Sequence, residues 1–170
     1  EGIDSDKIFT LRTVEDTLRL KKYTDEHQPK SAVVVGGGFI GIEVAENLHD
    51  LGIDITLVEA SDQLMAPFDR DMASFIHAEI LKNGIHLMLD TMVEGFADTD
   101  CGIDVKLKNA PTLHTDMVVM AIGVAPETNL AKDAGIELGI KGSIVVNDKM
   151  ETSIPDVYAV GDAVQIKNFV

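Results

Sequence analysis

The stretch that most constrains this chain is Val33-Val34-Val35-Gly36-Gly37-Gly38-Phe39-Ile40-Gly41-Ile42-Glu43. It opens as a β-branched apolar run, which predicts a buried strand. Three glycines break the run. Ile42, Val44, Ala45 and Leu48 then recur on one side of a predicted helix. Gly36, Gly38 and Gly41 fit the pattern G-x-G-x-x-G. The first glycine of such a pattern lets the chain turn tightly from strand to helix. The second lets the backbone approach a phosphate group with no Cβ in the way, and the third lets helix and strand pack closely. A helix starting at this turn offers unpaired N–H groups and the positive end of its dipole to an anion.

A glycine-rich turn alone is a weak signal, and its surroundings sharpen it. Leu51-Gly52 predicts a helix stop. Ile53-Asp54-Ile55-Thr56-Leu57-Val58 predicts a second strand that ends on Glu59. Glu59 follows Gly41 by about 18 positions, where a dinucleotide fold places the carboxylate that accepts hydrogen bonds from the adenosine ribose hydroxyls. Strand, turn, helix, strand and acid fall in order. They predict an α/β fold with a Rossmann-like parallel sheet and flanking helices.

Ahead of this unit, Ile8-Phe9 sits in a lead-in, and Thr13 with Asp16 three residues on predicts a capped helix. Val14, Leu18 and Leu11 are its expected apolar side, and Pro29 prevents its continuation. After Glu59, a loop through Phe68 leads to a helix capped by Asp69 or Asp71. Met72, Phe75, Ile76, Ile80 and Leu81 are its apolar positions, and Gly84 is its stop. Ile85 to Leu89 predicts a third strand.

From Thr91 the pattern shortens into an antiparallel β-meander, which completes a three-layer architecture. Met92 to Phe96 is one piece, Asp98 to Gly102 a turn, and Ile103 to Leu107 an alternating strand with one wet face. Leu113 to Thr115 is a third piece. Met117 to Ile122 is continuously apolar and ends at Gly123, as expected of a strand covered on both faces. Further on, Asn129 to Ala134 predicts a short helix, and Ile144 to Val146 and Val157 to Val160 predict strands. The expected division is a lead-in over 1–30, a nucleotide-binding domain over 31–124 and a return segment over 125–170.

The chain has 170 residues, enough for one ordinary domain or one and part of another. It carries a formal net charge of −15, which repels nucleic acid and anionic membrane surfaces alike. No apolar run approaches a membrane span, and no signal-peptide pattern is present, so a cytoplasmic location is expected. One cysteine, Cys101, excludes an internal disulfide and a cysteine-based metal site. The neighbouring carboxylates of Asp98 and Asp100 oppose a thiolate at Cys101, so it is not read as a catalytic nucleophile. His27, His49, His77, His86 and His114 show no metal-ligand spacing and are read as surface or rim residues, with no metal site expected.

Four motifs together resemble the central part of the pyridine nucleotide–disulfide oxidoreductases, in the branch of NADH oxidase and coenzyme A-disulfide reductase. They are Gly36 to Glu43, Leu57-Val58-Glu59, Ala121-Ile122-Gly123-Val124-Ala125-Pro126, and Thr152-Ser153-Ile154-Pro155-Asp156-Val157-Tyr158-Ala159-Val160-Gly161-Asp162. The resemblance implies NADH in the first site and FAD in a longer parent protein. Gly36, Gly37, Gly38, Ile40 and Gly41 would belong to the loop and helix start that hold the NAD pyrophosphate. Phe39 would cover the nicotinamide pocket, and Glu43 would pair with a lysine beside the flavin. Val93 would contact the adenine through its backbone, and Gly123 would border the cofactor. Asp162 would bind the ribityl and pyrophosphate region of FAD.

The resemblance also implies a homodimeric parent that pairs through parts absent from this chain, a fragment that is monomeric, and no catalytic residue within it. The flavin glycine motif, the redox-active cysteine and the dimerisation domain all fall outside these residues. Nucleotide binding without turnover is therefore expected of the fragment. In the parent, hydride would pass from NADH to flavin and on to a disulfide, persulfide, peroxide or oxygen. A carboxylate at Glu59 repels a 2′-phosphate, and Ala60, Ser61 and Ala66 are not basic, so NADH is expected over NADPH. Two other readings stay open: a non-catalytic NADH-sensing module, and a fold whose glycine motif binds FAD itself.

Overall fold

The computed structural model describes residues 2–166. The chain divides into two compact units, Glu1–Gly123 and Val124–Val170.

The first unit is built on a parallel sheet of β1 (Ile8–Thr10), β2 (Ser31–Val35), β3 (Asp54–Val58), β4 (His86–Met88) and β8 (Met117–Met120), in the order β1-β8-β2-β3-β4. β2 is central: Ser31 to Val35 pairs residue by residue with Asp54 to Val58, and Ala32 to Val35 pairs with Met117 to Met120 on its other side. Alternation along β2 explains why its run is apolar throughout. Ala32 and Val34 enter one core with Val44, Ala45, Leu48, Ile55 and Leu57. Val33 and Val35 enter a second core with Val58, Phe96, Ile103, Val105 and Val118. Both faces of the strand are dry, as a parallel sheet requires.

Helices α1 (Val14–His27), α2 (Phe39–Asp50) and α3 (Arg70–Lys82) send Leu20, then Val44, Ala45 and Leu48, then Ile80 into the first core. An antiparallel sheet of β5 (Val93–Thr99), β6 (Gly102–Leu107) and β7 (Leu113–Thr115) supplies the second. This is the three-layer α/β architecture with an antiparallel meander that the sequence predicts. Along β6, Ile103, Val105 and Leu107 are buried, while Lys106 is exposed and Asp104 half-buried.

Thr13 closes a capping box. Its hydroxyl accepts from the Asp16 N–H at 3.2 Å, and the Asp16 carboxylate accepts from the Thr13 N–H at 3.0 Å. The buried face of α1 is not the expected one. Val14 and Leu18 are exposed, and Leu20 is buried. Tyr23 packs against Phe9 at 4.9 Å between ring centroids, with the Arg19 guanidinium over the Phe9 ring. The reason is β1: an edge strand in the lead-in carries a fully buried Phe9, and the helix turns its face toward that ring. α3 departs in part, since Ile80 is buried and Ile76 packs against the first core as expected. Met72, Phe75 and Leu81 are exposed, and the buried positions are Ala73 and Ile80.

The expected turn over Asp98 to Gly102 is tighter than its composition suggested. Thr99 and Gly102 pair across the hairpin, leaving Asp100 and Cys101 as the turn. The second unit contains α4 (Asn129–Asp133), a 3₁₀ turn at Ile140–Gly142, and β9 (Ile144–Val145) pairing in parallel with β10 (Val164–Gln165). Val157 to Val160 is not a strand. Its only ladder contact among the described residues is a bridge from Tyr158 to Glu151, beside a turn closed by the Thr152 N–H donating to the Val157 carbonyl. That turn folds the segment back locally and leaves Val160 exposed.

Candidate functional site

β2 ends at Val35 and the chain reverses at Gly36, whose φ of 108° favours glycine. A Cβ at Gly36 would lie 2.4 Å from the Ala121 carbonyl, at the end of β8. A Cβ at Gly41 would lie 1.8 Å from the Gly36 carbonyl, so the third glycine lets α2 sit against the turn. Gly38 differs from both. It is the N-cap of α2, no side chain caps the helix there, and a Cβ at Gly38 would meet nothing within 4 Å. The helix therefore begins at an open space, with its first N–H groups unserved by any cap.

Gly37, between the motif glycines, has a packing role that spacing did not reveal. A Cβ there would lie 2.2 Å from the Leu64 side chain. Its N–H donates to Glu59 Oε2 at 2.6 Å, and its carbonyl accepts from the Met65 N–H at 2.8 Å. Leu64 and Met65, read from sequence as loop, are buried beneath the motif. Glu59 Oε1 accepts from the Ser61 N–H at 2.7 Å. Partial burial pushes the Glu59 carboxyl up. Hydrogen bonds from the N–H groups of Gly37, Ser61 and Ala60 and from the Ser61 side chain outweigh that effect and hold it below the usual carboxylate range. The group is a carboxylate at neutral pH, and each oxygen keeps a lone pair for a further donor.

These residues meet in one cleft of about 510 Å3. Gly36, Gly37, Gly38, Glu59, Ala60, Val93 and Gly123 all line it. So do Ile3, Thr91, Met92, Phe96 and Ile122, which sequence reasoning did not single out as site residues. They arrive from the lead-in, the start of the meander and the end of β8, and only the tertiary fold brings them together. A cleft with an open helix N-terminus and an ionised carboxylate fits a ligand with both a phosphate and a hydroxylated sugar.

The other expected residues lie elsewhere. Gly41 is buried in the helix–strand contact. Phe39 is exposed and meets Phe68 edge-on at 6.2 Å. Ile40 and Glu43 line a groove between the start of α1 and α2, with Leu11, Val14 and Leu20. Asp162 belongs to the second unit and is exposed there, after Gly161 at a φ of 97°. Among the described residues, no group of His, Cys, Asp and Glu side chains could hold a metal ion. No helix among them is long and apolar enough to cross a membrane.

Fold and cleft together define an α/β domain of Rossmann-like build, with its cleft at the carboxyl ends of the parallel strands. The family model of the pyridine nucleotide-disulphide oxidoreductases matches residues 1–169, and the chain belongs to that family. It is 40% identical over 171 aligned positions to an NADH oxidase of Methanocaldococcus jannaschii, covering 100% of this chain and 38% of that protein. It superposes on reduced Bacillus anthracis CoADR-RHD with a TM-score of 0.90 at 46% identity, covering 96% of this chain and 29% of that one. On the water-forming NADH oxidase of Lactobacillus brevis bound to NADH, the TM-score is 0.86 at 33% identity, covering 96% and 36%. The chain thus spans well under half the length of these relatives.

Proposed function

We propose that this chain is the NADH-binding domain of an FAD-dependent oxidoreductase. In the full-length protein, hydride would pass from NADH to flavin and on to a disulfide, persulfide, peroxide or oxygen. NADH supplies the hydride when bound, and the protein positions it. The observation that carries this reading is the pairing of an open helix start at Gly38 with the Glu59 carboxylate in one cleft.

In this reading the N–H groups at the start of α2 hold the pyrophosphate, with Gly36, Gly37, Gly38, Ile40 and Gly41 shaping that turn. Glu59 accepts from the adenosine ribose hydroxyls, beside Ala60. The backbone at Val93 meets the adenine, and Gly123 borders the cofactor. Phe39, exposed at the helix start, covers the nicotinamide pocket. Glu43 pairs with a lysine of the flavin domain, and Asp162 contributes to the FAD site. The flavin and dimerisation domains are this chain's partners, and the fragment alone binds nucleotide without turnover, as a monomer.

Charge favours NADH over NADPH. A 2′-phosphate would sit against the Glu59 carboxylate, which hydrogen bonding keeps ionised. At about 4 Å the repulsion is on the order of 1–4 kcal/mol per unit charge between bulk-water and surface dielectrics. The Lactobacillus brevis relative bound to NADH supports a nicotinamide nucleotide as the ligand.

The test is spectroscopic. A purified chain that is colourless and enhances NADH fluorescence agrees with this reading. A chain that purifies yellow, with flavin in the glycine cleft, contradicts it.

A further inference from the structure

We propose that Cys101, His114 and Asp104 form a second reactive site, where Cys101 exchanges with a low-molecular-weight disulfide and His114 carries the proton. The site stands independently of the nucleotide reading. Cys101 is exposed at the two-residue turn between β5 and β6. Asp104 and His114 are direct cross-strand partners in the β6–β7 register, so their side chains share a face. His114 Nδ1 lies 2.8 Å from Asp104 Oδ1, and His114 Nε2 lies 3.5 Å from Cys101 Sγ.

The chemistry follows from what each group can do. A carboxylate only accepts, so Asp104 fixes the ring proton on Nδ1. The Nε2 lone pair is then left facing the thiol, which donates to it. Nucleophile, base and orienting acid stand in line.

The seat of the imidazole is built by Gly102. A Cβ there would lie 2.4 Å from the Thr115 carbonyl and 3.1 Å from both Cε1 and Nε2 of His114. The carbonyl clash holds this position to glycine, and its bare backbone leaves the ring room beside it. Of the carboxylates that would oppose a thiolate, Asp98 and Asp104 are engaged, and Asp100 stands exposed in the turn. Asp104 holds His114, and Asp98 Oδ1 accepts from the Ser5 hydroxyl at 2.8 Å and lies 3.3 Å from Lys7 Nζ. Lys7 Nζ also donates to the carbonyls of Thr99 and Gly102, so a cation is tied to both sides of the turn.

This site lies toward the amino ends of the parallel strands, and the glycine cleft lies at their carboxyl ends. Lys7 precedes β1, and Thr115 bonds Ser31 at the start of β2, whereas the glycine turn leaves the far end of β2. In the exchange, the Cys101 proton moves to His114 Nε2 and the sulfur attacks one sulfur of R–S–S–R. The Cys101–S–S–R bond forms as the old S–S bond breaks. The departing thiolate takes the proton from the imidazolium as R–SH, so Cys101 is oxidised and the small disulfide reduced. The chain's net charge of −15 favours neutral or cationic disulfides over anionic ones.

The experiment follows mixed-disulfide formation on the full chain with bis(2-hydroxyethyl) disulfide by mass spectrometry, against the same chain unfolded in urea. The folded chain should react about tenfold faster or more, a gain set below the roughly hundredfold at which a positioned general base typically begins. H114Q should lose that gain, and D104N should lose part of it. Nitrogen NMR of the neutral imidazole should show His114 as the Nδ1–H tautomer in the native chain, with a larger share of the Nε2–H tautomer in D104N. A folded chain no faster than the unfolded one, an H114Q rate within about twofold of native, or a native Nε2–H tautomer would each overturn the proposal.

Discussion

The Gly37 N–H donates to the Glu59 carboxylate at 2.6 Å, and this bond ties the glycine turn to the end of β3. The same carboxylate is thereby held ionised and aimed along the wall of the cleft. The motif and the acid beyond it are one hydrogen-bonded unit.

The second and third motif glycines should separate under mutation. G41A drives a Cβ into the Gly36 carbonyl and should cost about 3 kcal/mol or more of stability. G38A meets only open space, at a φ of −83° that alanine adopts freely. Its stability should change by less than about 0.5 kcal/mol. Its NADH affinity should still fall about tenfold, because the methyl intrudes where a phosphate approaches. Chemical denaturation and fluorescence titration check the pair.

Acid should destabilise the chain through carboxyls held below their usual range. They are Asp16, by the backbone N–H groups of Arg12 and Thr13, Glu59 as described, Glu79, by Asn83 and Lys82, and Asp98, by Ser5 and Lys7. A depressed folded value stabilises fully above the unfolded value, ordinarily 3.8 for Asp and 4.5 for Glu, and the gain is lost as pH falls through the folded value. Melting temperature should therefore drop increasingly steeply below about pH 4.5, and E59Q should show a shallower decline than the native chain.

Much of the fold is legible in the sequence where a pattern is local. The run through Val33 to Val35, the glycines and Glu59 announce strand, turn, helix and strand within one short stretch. Burial faces are less legible, because the partner decides them. Val14 and Leu18 have helical spacing, but Phe9 on β1 draws Leu20 and Tyr23 inward instead. Val157 to Val160 has strand composition, but a local turn claims its hydrogen bonds. The meeting of Cys101 with His114 depends on antiparallel register, which no spacing rule supplies.

Removing the α1 cap should be a local, measurable loss. T13A deletes the hydroxyl that accepts from the Asp16 N–H and should cost about 1 kcal/mol. That corresponds to a melting temperature lower by about 2–4 °C for a chain of this size. NADH binding should be unchanged, since Thr13 lies outside the cleft.

Cofactor choice should be reversible by charge. A double variant, Glu59→Ala with Ala60→Arg, removes the carboxylate and adds a cation on the same wall of the cleft. Its preference should move toward NADPH by about tenfold or more relative to the native chain, read as a ratio of dissociation constants.

The central claim is tested most directly by titrating the native chain with NADH and with NADPH under identical salt, following nicotinamide fluorescence. The account predicts saturable NADH binding, tighter than NADPH by about tenfold or more. Equal or tighter binding of NADPH, or no binding of either nucleotide, would contradict it.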